Sequence, residues 1–124
     1  MTREDVERWI SAYEAAWRAP GTEALAGLFA PDATYSLDPY APTITGLDAI
    51  GEMWDEERPD GERFEMSHEI VAVEGDTAVV RAHVQYRSPR EQEYRDLWVI
   101  RLGADGLCTH YEEWPFFPDR PRIA

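Results

Sequence analysis

Residues 77–87 read TAVVRAHVQYR, and their hydrophobicity alternates with a period of two. Val80, Ala82, Val84 and Tyr86 fall on one face, while Arg81, His83, Gln85 and Arg87 fall on the other. Successive side chains of a strand point to opposite sides, so this pattern predicts a strand with one buried and one open face. Working outward, Gly75-Asp76 is a turn signal. Before it, Phe64, Met66, His68, Ile70 and Ala72 alternate with Glu65, Ser67 and Glu69. After it, Ser88-Pro89-Arg90 turns into a strand of about 92–102, and Gly103-Ala104-Asp105-Gly106 turns into one of about 107–116. Linkers this short join neighbours, which predicts an antiparallel meander.

The first half has the other period. Thr2 and Asp5 have the spacing of a capping box. Val6, Trp9, Ile10, Tyr13, Ala16 and Trp17 follow at steps of three and four, the stripe of an amphipathic helix that Pro20-Gly21 stops. Thr22 is placed to cap a second helix with Leu25, Leu28 and Phe29, ended by Pro31. Residues 32–37 suit a short strand, and 38–46, with Pro39, Pro42 and Gly46, suit a loop. Leu47, Ile50, Met53 and Trp54 predict a third helix, and DEERPDGER at 55–63 a solvated loop. Helices first and strands later is the α+β order. The expectation is one domain over residues 1–124: a curved antiparallel sheet with three N-terminal helices covering its concave face.

Composition narrows the function. Lys plus Arg is 12 against 25 Asp plus Glu, a net charge of −13. Such a surface neither replaces counterions on nucleic acid nor seeks anionic lipid, so no nucleic-acid or membrane partner is expected. One cysteine, Cys108, excludes an internal disulfide. No apolar run reaches the ~18 residues of a membrane span, and a cytoplasmic protein is expected. Five Trp, six Tyr and four Phe are many for 124 residues, and large rings need walls to pack against.

Those rings suggest a cavity. Tyr13 and Trp17 on the first helix, Trp54 on the third, and Tyr86, Trp98 and Trp114 on strands sit where a helix-roofed sheet would be lined, with Tyr35 and Met66 beside them. Alternation adds polar groups. If Trp98 and Ile100 point inward, so does Asp96; with Tyr111 goes Glu113; with Met66 and Ile70 goes His68. A carboxyl group away from water has its pKa raised, and a nearby His⁺ lowers it, so such a set suits proton transfer near neutral pH. Each of these groups also suits a single structural hydrogen bond.

WISAYEAAWRAPGTEALAGLFAPDATY, TGLDAIGEMW, EIVAVEGDTAVVRAHV and DLWVIRLGADGLCTHYEEW resemble the nuclear transport factor 2-like superfamily, nearest its SnoaL-like and ketosteroid-isomerase-like members. The resemblance covers nearly the whole chain and implies a cone-shaped, cystatin-like α+β roll. That scaffold carries isomerases, dehydratases, cyclases, epoxide hydrolases and binding modules, so it implies no single activity. Compared with ketosteroid isomerases, Tyr13 matches the helix-one tyrosine that stabilises the dienolate. Asp38, just before Pro39 and after Asp32-Ala33-Thr34, resembles the general base, with one extra residue between that segment and the aspartate. The second oxyanion donor, an aspartic acid, falls at Trp98, with Asp96 two residues earlier on the same face. Asp38 equally suits a turn before proline.

Two readings follow. One is a cofactor-independent acid–base enzyme (isomerase, cyclase, dehydratase or hydrolase) acting on a small, mostly apolar cyclic substrate. Its catalytic candidates are Asp38, Tyr13, His68 and Asp96. Its ligand-binding candidates are Trp17, Tyr35, Trp54, Met66, Tyr86, Trp98, Tyr111, Glu113 and Trp114. The other is a non-catalytic ligand-binding or assembly module. No metal site is expected, since His83 faces away from His68, and Cys108 at a strand start has opposite parity to Tyr111. The open face, with Arg81, His83, Gln85, Arg87, Leu97, Val99 and Arg101, is expected to pack on its own copy in a homodimer, as the resemblance also implies. Pro115-Phe116-Phe117-Pro118 is compatible with closing the cavity or with packing on a partner.

Overall fold

In a computed structural model, which describes residues 1–59 and 61–119, Arg3–Arg18 form α1. The capping box is complete: the Thr2 hydroxyl accepts the Asp5 N–H (3.1 Å) and the Asp5 carboxylate accepts the Thr2 N–H (2.8 Å). A turn of 3₁₀ helix spans Glu23–Gly27. Then come β1 (Phe29–Ser36), β2 (Ile44–Thr45), α2 (Leu47–Glu57), β3 (Arg63–Glu74), β4 (Thr77–Ser88), β5 (Gln92–Leu102) and β6 (Cys108–Phe116). The strands form one curved, unclosed sheet in the order β2-β1-β6-β5-β4-β3.

The meander of β3 to β6 has the expected antiparallel pairing, with Val80 opposite Trp98 and Trp98 opposite Glu113. Val80, Ala82, Val84, Trp98 and Ile100 are buried on its inner face. The helix α1 lies against that face, with Val6, Trp9, Ile10, Tyr13 and Ala16 buried. Both its ends are tied to the edge strand. Arg3 donates to the Ile70 carbonyl (3.0 Å) and Arg18 to that of Phe64 (2.9 Å). These bonds also occupy two carbonyls of an edge that would otherwise invite pairing.

Four expectations need correction. Among the described residues there are two α-helices, not three, because the segment after Thr22 forms only a 3₁₀ turn that stops at Gly27. The Leu28 carbonyl is claimed by the Cys108 N–H (2.7 Å) and the Trp9 indole N–H (3.0 Å), which draws Phe29 into β1 rather than into a helix. Tertiary bonds override a weak local preference. The sheet is also mixed, since β1 runs parallel to β6. Its register shifts between Phe29 and Thr34, around Pro31, where a residue without an N–H is tolerated in a strand. Finally, two bulges reset parity. One between Ile70 and Ala72 turns Ala72 out and Val73 onto the core. Another near Leu102 lets Cys108 and Tyr111 both be fully buried. The segment 38–46 holds the short strand β2 rather than loop alone.

Ile100, fully buried near the end of β5, tests the core. Ile100→Ala should lower stability by about 2–5 kcal/mol in urea denaturation. A change below ~1 kcal/mol would place this strand outside the core.

Candidate functional site

At the end of the sheet that carries the β4–β5 turn, a cavity of about 740 Å³ opens between α1, α2 and the inner face. Tyr13 and Trp17 come from the last turns of α1, Tyr35 from β1, Trp54 from α2, Tyr86 from β4, and Tyr94 and Glu113 from β5 and β6. Tyr13 is central. Its ring stacks on Trp9 (5.2 Å) and Tyr111 (5.3 Å) and meets Trp54 edge-on (5.6 Å). Its hydroxyl accepts from Tyr111 (3.1 Å) and lies 3.3 Å from that of Tyr35. Burial pushes all three phenols well above their ordinary range, so they remain neutral donors.

The polar centre is a pair of carboxyl groups. Asp96 faces Pro115 across the β5–β6 ladder and Glu113 faces Trp98, so the two acids are diagonal neighbours on the inner face. Asp96 is 3% exposed. Its Oδ2 accepts the Trp98 indole N–H at 2.9 Å, while its Oδ1 is buried with no N–H or conventional O–H donor. Burial first, and then the charge of Asp96, hold the Glu113 carboxyl well above its ordinary range, and Glu57 adds to the effect. Burial also raises Asp96, but the Glu113 and Trp98 hydrogen bonds and backbone N–H groups oppose this. Two carboxyl groups this near each other in an apolar wall disfavour carrying two charges at once. Trp98 spends its indole N–H on Asp96 rather than on the cavity.

The other sequence candidates lie elsewhere. Asp38 is exposed and accepts the Tyr40 N–H at 2.7 Å, as a turn residue does. His68 faces α1, where its Nε2 is 2.7 Å from Glu7, and does not line the cavity. Trp114 sits on the opposite sheet face from Glu113, partly exposed, with its indole on Glu112 (2.9 Å). Met66 packs against the core, and Tyr111 and Trp98 lie beneath the cavity floor. The Cys108 thiol is buried and bonded to the His110 carbonyl, and burial pushes it up to about 12.

Some lining residues carried no signal singled out beforehand. Tyr94 shares parity with Asp96 and Trp98, so alternation contained it. Glu62, which accepts the Trp17 indole N–H at 3.1 Å, sits in a segment that reads as solvated loop. In the C-terminal segment Phe117 turns onto Tyr94 (5.5 Å) and lines the cavity, while Phe116 is exposed. Among the described residues, no group of His, Cys, Asp and Glu is arranged to hold a metal ion, and no helix is long and apolar enough to cross a membrane.

A family model described as the SnoaL-like domain matches residues 6–111. The chain belongs to the SnoaL-like domain family. Its fold recurs in solved structures. A proposed ketosteroid isomerase of Kribbella flavida superposes with a TM-score of 0.72 at 17% identity, over 98% of this chain and 84% of that one. A protein of Catenulispora acidiphila with a ketosteroid isomerase-like fold, in complex with trimethylamine, gives 0.66 at 22%, over 86% and 83%. A LEH-like epoxide hydrolase of M. tuberculosis gives 0.68 at 13%, over 91% and 78%. At these identities the likeness concerns the fold. No curated protein matches the chain.

The buried pair of this SnoaL-like domain has a pH signature. Folded Glu113 keeps its proton above the ordinary value of 4.5. The native state thus binds more protons than the unfolded chain, and the contribution to stability is complete below 4.5 and lost as pH rises through the folded value. The advantage of Glu113→Gln over the unsubstituted protein should grow with pH above 4.5, by at most about 1 kcal/mol per unit. Parallel stability–pH curves from urea titrations would show that Glu113 is ionised in the folded state.

Proposed function

We propose that this SnoaL-like domain is a cofactor-independent acid–base enzyme acting on a small, mostly apolar cyclic molecule. The observation that carries the reading is the Asp96–Glu113 pair, two carboxyl groups set diagonally across the β5–β6 ladder in the wall of an aromatic cavity. Glu113 reaches the cavity and acts as the proton donor or, after transfer to Asp96, the acceptor. The Tyr13 and Tyr35 hydroxyls, with Tyr111 donating to Tyr13 from beneath, supply neutral donors where negative charge develops on a substrate oxygen. Exclusion of water around the rings strengthens both effects. Isomerisation, cyclisation, dehydration and ring opening all need this pairing of a proton carrier with an oxyanion site.

Asp38, the base that the resemblance suggested, is not needed in this scheme. Its exposed position favours a second reading, a binding module without chemistry. The two readings separate in deuterium exchange at carbons next to the carbonyl of small cyclic ketones, followed by NMR. The enzyme reading expects exchange that falls about 10²-fold or more in Glu113→Gln and also falls in Tyr13→Phe. Binding of the same ketones, seen as a thermal shift, with exchange no faster than in buffer and no effect of Glu113→Gln, favours the module.

We also propose a homodimer through the outer face. Leu97 and Trp114 are each more than a third exposed there, beside Arg81 and Arg101. Sedimentation should give a two-chain mass at micromolar concentration that Trp114→Glu reduces to one. A one-chain mass for the unsubstituted protein contradicts the proposal.

A further inference from the structure

The cavity wall has a charge character that the acid–base reading leaves unused. Among the rings that face it are Tyr13 and Trp17 from α1, Trp54 from α2 and Tyr86 from β4. Two carboxyl groups face the same space, Glu113 at the floor and Glu62 at the side, with Glu57 at the rim. Ring faces carry partial negative charge and attract cations, more strongly where water is excluded. The cations of the site do not offset this on the inside. The Arg58 guanidinium is spent on the end of α1, donating to the carbonyls of Ala16 (3.2 Å), Trp17 (3.2 Å), Ala19 (3.0 Å) and Gly21 (2.6 Å). It stacks on the Trp54 ring at 4.8 Å. Arg90 stands at the mouth, on the exposed turn between β4 and β5.

The same wall already holds a cation on its outer side. The Arg18 guanidinium sits 4.1 Å over the Phe64 ring, which packs against Trp17 at 4.5 Å. A neutral apolar ligand would gain the ring contacts but no attraction from the Glu62 and Glu113 carboxyl groups, of which Glu62 is already met by the Trp17 indole N–H and Arg58. A carboxylate or phosphate would meet like charge. A net charge of −13 also raises the local concentration of cations.

We infer that the cavity takes a small organic cation, a protonated amine or a quaternary ammonium group, seated among Trp17, Tyr86, Tyr13 and Trp54 and against Glu113 and Glu62. The inference rests on the reading of this cavity as a small-molecule site and names the ligand class for it. A cation there favours the ionised form of the carboxyl pair, so binding expels the Glu113 proton. Affinity then rises with pH. The titratable groups around Glu113 are Asp96 and Tyr94 on β5, Glu57 on α2, Tyr13 on α1, Tyr35 on β1, Tyr86 on β4 and Tyr111 on β6, and none is a cation.

Isothermal titration with choline and with 3,3-dimethylbutan-1-ol, its uncharged isostere, tests this. Choline should bind at least about tenfold tighter than the alcohol. Its binding heat should change with the ionisation enthalpy of the buffer, reporting proton release. Glu113→Gln should abolish the proton release, and Glu62→Gln, at the side wall, should weaken choline with the release retained. Circular dichroism confirms that each variant is folded. If the alcohol binds as tightly as choline, the cation assignment falls and the small-molecule reading stands. If the alcohol and choline both fail to bind at concentrations on the order of 10 mM, the inference also falls. Thermal shifts with cyclic ketones then decide the small-molecule reading independently.

Discussion

The burial of two carboxyl groups, Asp96 and Glu113, as diagonal neighbours on the inner face is the constraint on which the site depends. Two carboxylates so close in an apolar interior would repel each other and lack solvent, so the native state disfavours two charges there. Charge on Asp96 is distributed into the Trp98 indole N–H and the backbone N–H groups around it. The rings enclose what remains. Tyr13 ties α1 to β1 and β6 through the Tyr35 and Tyr111 hydroxyls, so the helix and the acid pair are positioned by the same packing.

Much of this follows from strand parity. Asp96, Trp98 and Ile100 share a face because alternate residues do, and the turns at 75–76, 88–90 and 103–106 set the β3–β6 meander. Parity also connects Tyr111 with Glu113. It breaks where the backbone inserts a residue, as at Ile70–Ala72 and near Leu102, and no single side chain announces such a bulge. Trp114 belongs to the outer face by the same parity that turns Glu113 inward, although its aromatic character suggests a cavity.

Other features depend on tertiary partners. The segment 22–28 has the residues of a short helix, but Leu28 is drawn into two long-range bonds that no local pattern contains. Asp38 resembles a catalytic base by its neighbours in sequence, while the extra residue before Pro39 leaves it capping a turn in solvent. Glu62 and Arg58 lie in a run of charges that reads as loop. One accepts the Trp17 indole and the other closes the end of α1, and both roles are visible only once the helices are placed. The family supplies the scaffold for these arrangements.

The most direct test of the account is a ¹³C NMR pH titration of the side-chain carboxyl groups, with Glu113 assigned by its loss in Glu113→Gln. The account predicts a Glu113 carboxyl that keeps its proton well above its ordinary value, with an Asp96 resonance that shifts as the Glu113 proton leaves. A Glu113 resonance that titrates near the ordinary value of 4.5, independently of Asp96, would contradict it.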